Sequence, residues 1–296
     1  MSRIDALTQK HNFTSEEIVE LLAVTDAGDA QRLQKAAFDL ASEVVGNSVY
    51  YRGIVEFSNI CSVNCHYCGI RAGNTELTRY CMSKSEIVEC TRWAADNGYA
   101  SCVLQSGERR DERFVEFVED CIAGIKSSSK SKSLPEGLGI TLSLGEQSLE
   151  TYARWFAAGA HRYLLRIETS NPSIFARIHP ESQSLESRQA CLSYLRECGY
   201  QVGTGVMIGI PGQTLEDLAA DILFFRENDI DMIGMGPYIT HPDSPMFDQG
   251  MLEKDPLLQL SLNMIAVTRL VLKDVNIAST TALQALVHNG RELGIL

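Results

Sequence analysis

From about position 50 the chain alternates short apolar runs with amphipathic stretches. The runs are GIVEF (53–57), SCVLQ (101–105), GITLSL (139–144), RYLLRI (162–167), VGTGVMI (202–208), DMIGMG (231–236) and NIAST (276–280). Between them apolar residues recur at helical spacing, in segments that start near Ser83, Asp111, Gln147, Ser184, Thr214 and Asp255. Ser83 followed by Glu86 is a capping box, and Thr214 with Asp217 resembles one. Seven strands separated by helices predict a parallel sheet whose crossovers are helical. A (βα) barrel suits this better than an open doubly wound sheet, because no strand leads into a dinucleotide fingerprint. Gly203, Gly205 and Gly209 miss that spacing, with Ile at 208, and read as close packing.

Upstream, Thr14 with Glu16 and Glu17 opens a helix carrying Ile18, Leu21 and Leu22 on one face. A second helix from about Ala27 to Val45 aligns Leu33, Ala36, Ala37 and Leu40. The expected organisation is a helical preface, residues 1–48, followed by a barrel over 49–296. With about 50 residues in the preface, the rest supplies seven strands where a closed (βα) barrel has about eight, so the barrel is expected to lack its eighth strand. SSSKSKS (127–133), followed by Pro135 and Gly137, reads as a surface loop.

Composition narrows the function classes. Hydrophobic residues at 45% and charged residues at 22% are globular values, which sets aside a disordered or fibrous chain. Twenty-six basic against 38 acidic residues give a net charge of −12, which disfavours a non-specific hold on nucleic acid or on an anionic membrane. No apolar run approaches the length of a membrane-spanning helix. Nine cysteines, an odd number with no apolar leader after Met1, suit a reducing compartment; the expected location is the cytoplasm, or an organelle if the source is eukaryotic.

Three of those cysteines carry the chemistry. Cys61, Cys65 and Cys68 stand in the order C-S-V-N-C-H-Y-C directly after the first strand, and the C-terminal ends of barrel strands are where active sites are built. A structural zinc site wants four ligands, usually as two separated pairs, and there is no second C-x-x-C; His66, between two of the cysteines, is badly placed to be a fourth. The alternative is a [4Fe-4S] cluster on three thiolates, with one iron left open for a small molecule. The other six cysteines, at 81, 90, 102, 121, 191 and 198, have no short metal spacing and read as packing.

The C-x3-C-x2-C motif, with Tyr67 before its last cysteine, resembles the signature of the radical S-adenosylmethionine (SAM) superfamily. Longer stretches, namely IVEFSNICSVNCHYCGIR (54–71), LQSGE (104–108), TLSLGE (141–146), RYLLRIETSNP (162–172), GIPGQT (209–214), GPYITHPDSP (236–245) and TTAL (280–283), look like the HydE type of [FeFe]-hydrogenase maturase. The resemblance implies a TIM-type (βα) barrel of the radical SAM kind. It also implies a [4Fe-4S] cluster on Cys61, Cys65 and Cys68, and reductive cleavage of SAM to a 5′-deoxyadenosyl radical.

In the residues themselves, Gly107 allows close backbone approach and Glu108 has a carboxylate that can accept from an ammonium. By resemblance Tyr67, Ser106, Gly107, Glu108, Glu168 and Arg188 hold SAM. Arg166 alternates with Leu164 on an apolar strand and needs an anionic partner, either a bound ligand or a salt bridge. The resemblance makes Arg166, Thr280 and Thr281 candidates for substrate binding. Partners implied are a small organometallic substrate, a one-electron donor and other hydrogenase maturases. Competing readings are a biotin synthase-like or methylornithine synthase-like enzyme, and a truncated, non-catalytic iron-sulfur protein.

Overall fold

The computed structural model describes residues 2–295. Three helices come first: α1 (Arg3–Thr8), α2 (Ser15–Leu22) and α3 (Ala27–Val44). The chain then runs through β1 (Gly53–Ser58), α4 (Lys84–Asp96), β2 (Ser101–Ser106), α5 (Glu112–Ser128), β3 (Gly139–Ser143), α6 (Leu149–Ala158) and β4 (Arg162–Leu164). Next come α7 (Pro172–Ile178), α8 (Leu185–Glu197), β5 (Gln201–Thr204), β6 (Met207–Ile208) and α9 (Leu215–Glu227). The last elements are β7 (Met232–Ile233), β8 (Gly236–Pro237), α10 (Lys254–Leu272), β9 (Asn276–Ile277), α11 (Thr281–Leu286) and α12 (Gly290–Leu293). These fall into two compact units: a cysteine-bearing unit, Val49–Leu165 with His179–Gly203, and a second unit, Met1–Ser48 with Arg166–Ile178 and Thr204–Leu296.

Helix starts follow the capping residues. Ser83 accepts from the Glu86 N–H while the Glu86 carboxylate accepts from the Ser83 N–H at 2.7 Å, and Thr214 with Asp217 closes the same reciprocal pair. Asp111, Ser148 and Ser184 each cap one N–H at the start of α5, α6 and α8. In every case a short side-chain oxygen satisfies a donor that the first helical turn leaves open. SSSKSKS is only partly loop. α5 continues through Ser128, and the buried Ser129 hydroxyl donates to Ile125 O (2.6 Å) and accepts from Leu138 N–H (2.8 Å).

In the cysteine-bearing unit β1 to β5 pair in chain order, all parallel. The register lines up Val55, Leu104, Leu142, Tyr163 and Val202 as one buried row across five strands. This face meets the helices: Phe57 stacks on Phe114 of α5, and Tyr163 lies edge-on to Tyr152 of α6 at 5.0 Å. Each such buried side chain contributes roughly 1.5–3 kcal/mol. The opposite face carries Ile54, Val103, Thr141, Arg162 and Gln201 in one row and Glu56, Gln105 and Ser143 in the next. Strand alternation thus separates an apolar helix side from a mixed, polar-lined side.

In the second unit the preface helices dock on α10, where the buried Asn263 amide donates to the carbonyls of Leu22 (3.1 Å) and Val24 (2.8 Å) at the end of α2. β6 pairs with β8 and β7 with β9, again parallel. The predicted strands 202–208 and 231–236 are each broken in two. At the breaks the backbones of Gly205 and Gly234 touch, so closely that a Cβ on Gly205 would stand 1.9 Å from Gly234 O. Only glycine permits that approach, and the crossing interrupts both ladders. The seventh strand is also shorter than expected: it ends at Ile277, and Thr280 and Thr281 sit at the N-cap and first residue of α11.

Asp221 of α9 is fully buried in this unit, and burial pushes its carboxyl up to about 7. An acid whose folded pKa lies above its unfolded value holds its extra proton between the two. Its stabilising contribution is therefore complete below about pH 4 and is lost as pH rises through about 7, at a slope of about 1.4 kcal/mol per pH unit. Asp221→Asn is expected to remove that slope, so the urea midpoint of the wild type should fall relative to that of the variant between about pH 4 and pH 7 and keep that offset at pH 8.

Candidate functional site

β1 delivers its C-terminal end into a loop that carries Cys61, Cys65 and Cys68, none of them in a disulfide and all half-buried. Two contacts seat this loop on the end of β2. Gly107 N–H donates to Ser58 O (3.2 Å), and both the N–H and the hydroxyl of Ser62 donate to Glu108 O at 2.8 Å. Gly107 is required for the fit, since a Cβ there would lie 2.4 Å from Ile60 O and 2.6 Å from the Cys61 Cβ.

Arg79 gathers the far side of the loop. Its Nη1 donates to the carbonyls of Asn59 (2.6 Å) and Ile70 (2.8 Å), and its Nη2 to those of Arg71 (2.7 Å) and Asn74 (3.1 Å). A planar guanidinium can serve four carbonyls at once and an ammonium cannot. Arg79→Ala is expected to lower the opening free energy of the loop by at least about 2 kcal/mol, read as faster amide exchange over residues 59–80 and poorer uptake of iron. Arg79→Lys should fall between the two.

The thiols suit an iron-sulfur cluster. Three thiols stand on one loop, and a cluster takes each thiolate on a different iron. Cys61 Sγ already accepts from Val63 N–H at 3.4 Å, and Cys65 Sγ lies 3.6 Å from Gln183 Oε1. Burial pushes the Cys61 thiol up, and the N–H groups of Val63 and Glu108 pull it back. Such donors stabilise sulfur once it carries negative charge. Tyr67, within the motif, stands edge-on to the ring of His179 at 5.5 Å.

Beside the loop lies a charge network built from strand ends. Glu108, just past β2, accepts from Arg110 Nε (3.1 Å) and Nη2 (2.7 Å) on one oxygen and from Glu146 N–H (2.9 Å) on the other. Three of about four acceptor positions on that carboxylate are therefore filled. Glu146, just past β3, accepts from Arg188 Nε (2.6 Å), Ser187 hydroxyl (2.9 Å) and Arg110 Nη2 (3.2 Å). Gly145, with φ of 74°, makes room, because a Cβ there would be 2.2 Å from Glu108 Oε2. Arg188 is almost fully buried and its guanidinium is held charged by Glu146 against the pull of burial, so it is no solvated helix charge. Ser106 ends β2 with its hydroxyl donating to Gly107 O (2.8 Å).

The remaining expected residues lie in the second unit. Glu168 is buried and has φ of 63°, a left-handed conformation that strains a side-chain-bearing residue and marks functional positions. It lies beyond β4, joined by a single parallel bridge to Val206. Arg166 has the partner its position demanded, Glu168 at 3.1 Å, and also donates to Val206 O. Thr280 donates its hydroxyl to Met235 O (3.1 Å). Sequence reading missed Glu146 and Arg79. The signal for Glu146 was available, since it follows a strand end as Glu108 and Glu168 do; Arg79 left none, because its four partners are carbonyls. Two surface hollows of about 770 and 680 Å³, one beside Phe117 and Glu119 and one beside Ile54 and Trp93, include none of these residues.

Comparison with known proteins places this arrangement. The model of the radical SAM superfamily matches residues 55–225. The [FeFe] hydrogenase maturase subunit HydE of Thermotoga maritima is 43% identical over 286 residues, covering 96% of this chain and 78% of the relative. Biotin synthase 1 of Corynebacterium diphtheriae is 25% identical, covering 92% and 76%. Among solved structures, methylornithine synthase (PylB) superposes with a TM-score of 0.83 at 23% identity, covering 99% of this chain and 83% of that one.

Proposed function

Since the chain belongs to the radical SAM superfamily and, within it, to the HydE family of [FeFe]-hydrogenase maturases, we propose that it acts on a small cysteine-bearing iron precursor of the hydrogenase active-site cluster. It is a radical SAM enzyme with the TIM-barrel-like α/β fold of that superfamily, whose members use a [4Fe-4S] cluster and SAM. Cys61, Cys65 and Cys68 would hold the cluster. The chemistry available there with cluster and SAM bound would be one-electron reductive cleavage of SAM to a 5′-deoxyadenosyl radical.

The chain's own residues orient the cofactor. Tyr67 and the segment Ser106–Gly107–Glu108 form the wall against which SAM rests, fixed to the cysteine loop by the Ser62 and Gly107 hydrogen bonds. Arg188 meets a carboxylate, the natural task of a guanidinium, and Glu146 keeps it charged and aimed. Glu168 accepts from hydroxyl or ammonium groups of SAM, and Arg166 with Thr280 and Thr281 receives the anionic parts of the substrate. A one-electron donor and other maturases complete the set of partners. Among the described residues no helix is long and apolar enough to cross a membrane, in keeping with a cytoplasmic site of action.

The observation that carries the proposal is the seating of a three-cysteine loop on the Ser106–Glu108 strand end in a chain of this family. The test is anaerobic reconstitution with iron and sulfide, reduction, and addition of SAM with one candidate substrate at a time. 5′-Deoxyadenosine formed in step with consumption of a cysteine-ligated iron complex supports the maturase reading. Formation in step with the unsulfurated precursor of biotin, or with lysine, would assign the chain to another activity.

A further inference from the structure

Outside the network already described, the buried carboxylates among the described residues are Glu168 and Asp221. Asp217 and Asp221 stand four residues apart on α9, where like charges repel. Both accept from the turn that follows Glu168. Ser170 N–H donates to Asp221 Oδ1 at 2.6 Å, and the Asn171 side-chain amide donates to Asp217 Oδ1 at 2.6 Å. Asn171 in turn caps α7 through the N–H groups of Ser173 (2.8 Å) and Ile174 (3.2 Å), and Thr169 Oγ1 accepts from Asn171 N–H at 3.1 Å. The Ser170 hydroxyl faces the same Asp221 carboxylate, so both the backbone and the side chain of Ser170 bear on it.

We infer that Asp221 is a positioning residue for Glu168, anchoring from α9 the turn that keeps Glu168 in its left-handed backbone conformation. A side chain at φ of 63° holds that geometry only where its surroundings over-determine it. On the strand side the constraint is Glu168 N–H on Gly205 O (3.0 Å) and Met207 N–H on Glu168 O (3.0 Å). On the exit side it is the short Ser170–Asp221 bond, two residues from Glu168. Removing Asp221 releases one side of the clamp and lets the Glu168 backbone relax toward the ordinary region, which withdraws its carboxylate. The inference rests on Glu168 being a SAM ligand.

The experiment uses the full chain as Asp221→Ala, Asp221→Asn, Glu168→Gln and the double variant Glu168→Gln/Asp221→Ala. Amide exchange at Ser170 is measured without cofactors, and SAM affinity after reconstitution by equilibrium dialysis. Asp221→Ala is expected to speed Ser170 exchange by about tenfold or more and to weaken SAM binding about five- to twentyfold, with iron content unchanged. Asp221→Asn keeps an acceptor facing Ser170 and should retain slow exchange and most of the affinity, which separates loss of the anchor from loss of the fold. In the Glu168→Gln background, Asp221→Ala should change SAM affinity less than about twofold, because coupled residues are not additive. Wild-type affinity in Asp221→Ala, or fully additive losses, would overturn the positioning role. Unchanged affinity in Glu168→Gln would instead overturn the assignment of Glu168 beneath it.

Discussion

Cys65→Ala is expected to leave the protein folded and to abolish both iron retention and SAM cleavage. Cys65 is half-buried on a loop, outside the packed core, so the substitution should move the urea midpoint by no more than about 1 kcal/mol of stability. The functional loss comes from chemistry: three thiolates are the smallest set offered for the cluster, and an alanine methyl group cannot ligate iron. Cys61→Ala and Cys68→Ala should behave alike. Cys121→Ala is the control with the opposite profile. That thiol is buried among apolar neighbours in α5, which pushes it up to about 12, and its loss should lower stability while iron content and SAM cleavage stay at wild-type levels. Iron per chain after reconstitution, measured beside the urea midpoint for all four variants, checks this.

Glu146→Leu should have the largest effect on stability. The side chain joins Arg188, Arg110 and Ser187, and Arg188 has almost no exposure to water that could replace the lost carboxylate. Removing one side of a buried ion pair costs about 3–5 kcal/mol. Two further results follow from the same geometry. Glu146→Gln, which keeps an acceptor but not the charge, should lose less. Arg188→Met in the Glu146→Leu background should recover stability, because removing the stranded charge matters more than restoring the pair. The double variant should still bind SAM poorly, since the proposed contact to its carboxylate goes with Arg188. Urea midpoints for the three chains and SAM affinity for those that fold distinguish a network that only stabilises from one that also aims Arg188.

Much of this was written in local patterns. The strand and helix alternation was readable because the sheet buries one face on helices, so period-two runs such as 53–57 and 101–105 stand between helix-period segments. The starts of α4 and α9 were readable as capping boxes, because Ser83 with Glu86 and Thr214 with Asp217 satisfy donors only a few positions away, while those of α5 and α8 were placed only approximately. The breaks at Gly205 and Gly234 were not, since nothing local says that two glycines 29 residues apart will have touching backbones. Thr280 and Thr281 were placed on a strand for a similar reason: the apolar run around 276–280 cannot show that a helix begins at 281.

At the site, the cysteines and the strand-end residues Ser106, Gly107, Glu108 and Glu168 stood out by type and position. Their environment did not. Whether Arg188 was a surface charge or a buried one depended on Glu146 reaching it from another strand end, a contact across 42 positions. Arg166 shows the reverse case, where the strand pattern demanded an anionic partner and the structure supplies Glu168 two residues away.

If three thiolates on one loop hold a cluster that SAM reaches directly, SAM must perturb the electronic signal of that cluster. Electron paramagnetic resonance of the anaerobically reconstituted, reduced chain, recorded with and without SAM, tests it most directly. The expected result is a cluster signal whose line shape changes on addition of SAM and which is missing in Cys65→Ala. A cluster signal indifferent to SAM, or one that survives the loss of Cys65, would contradict it.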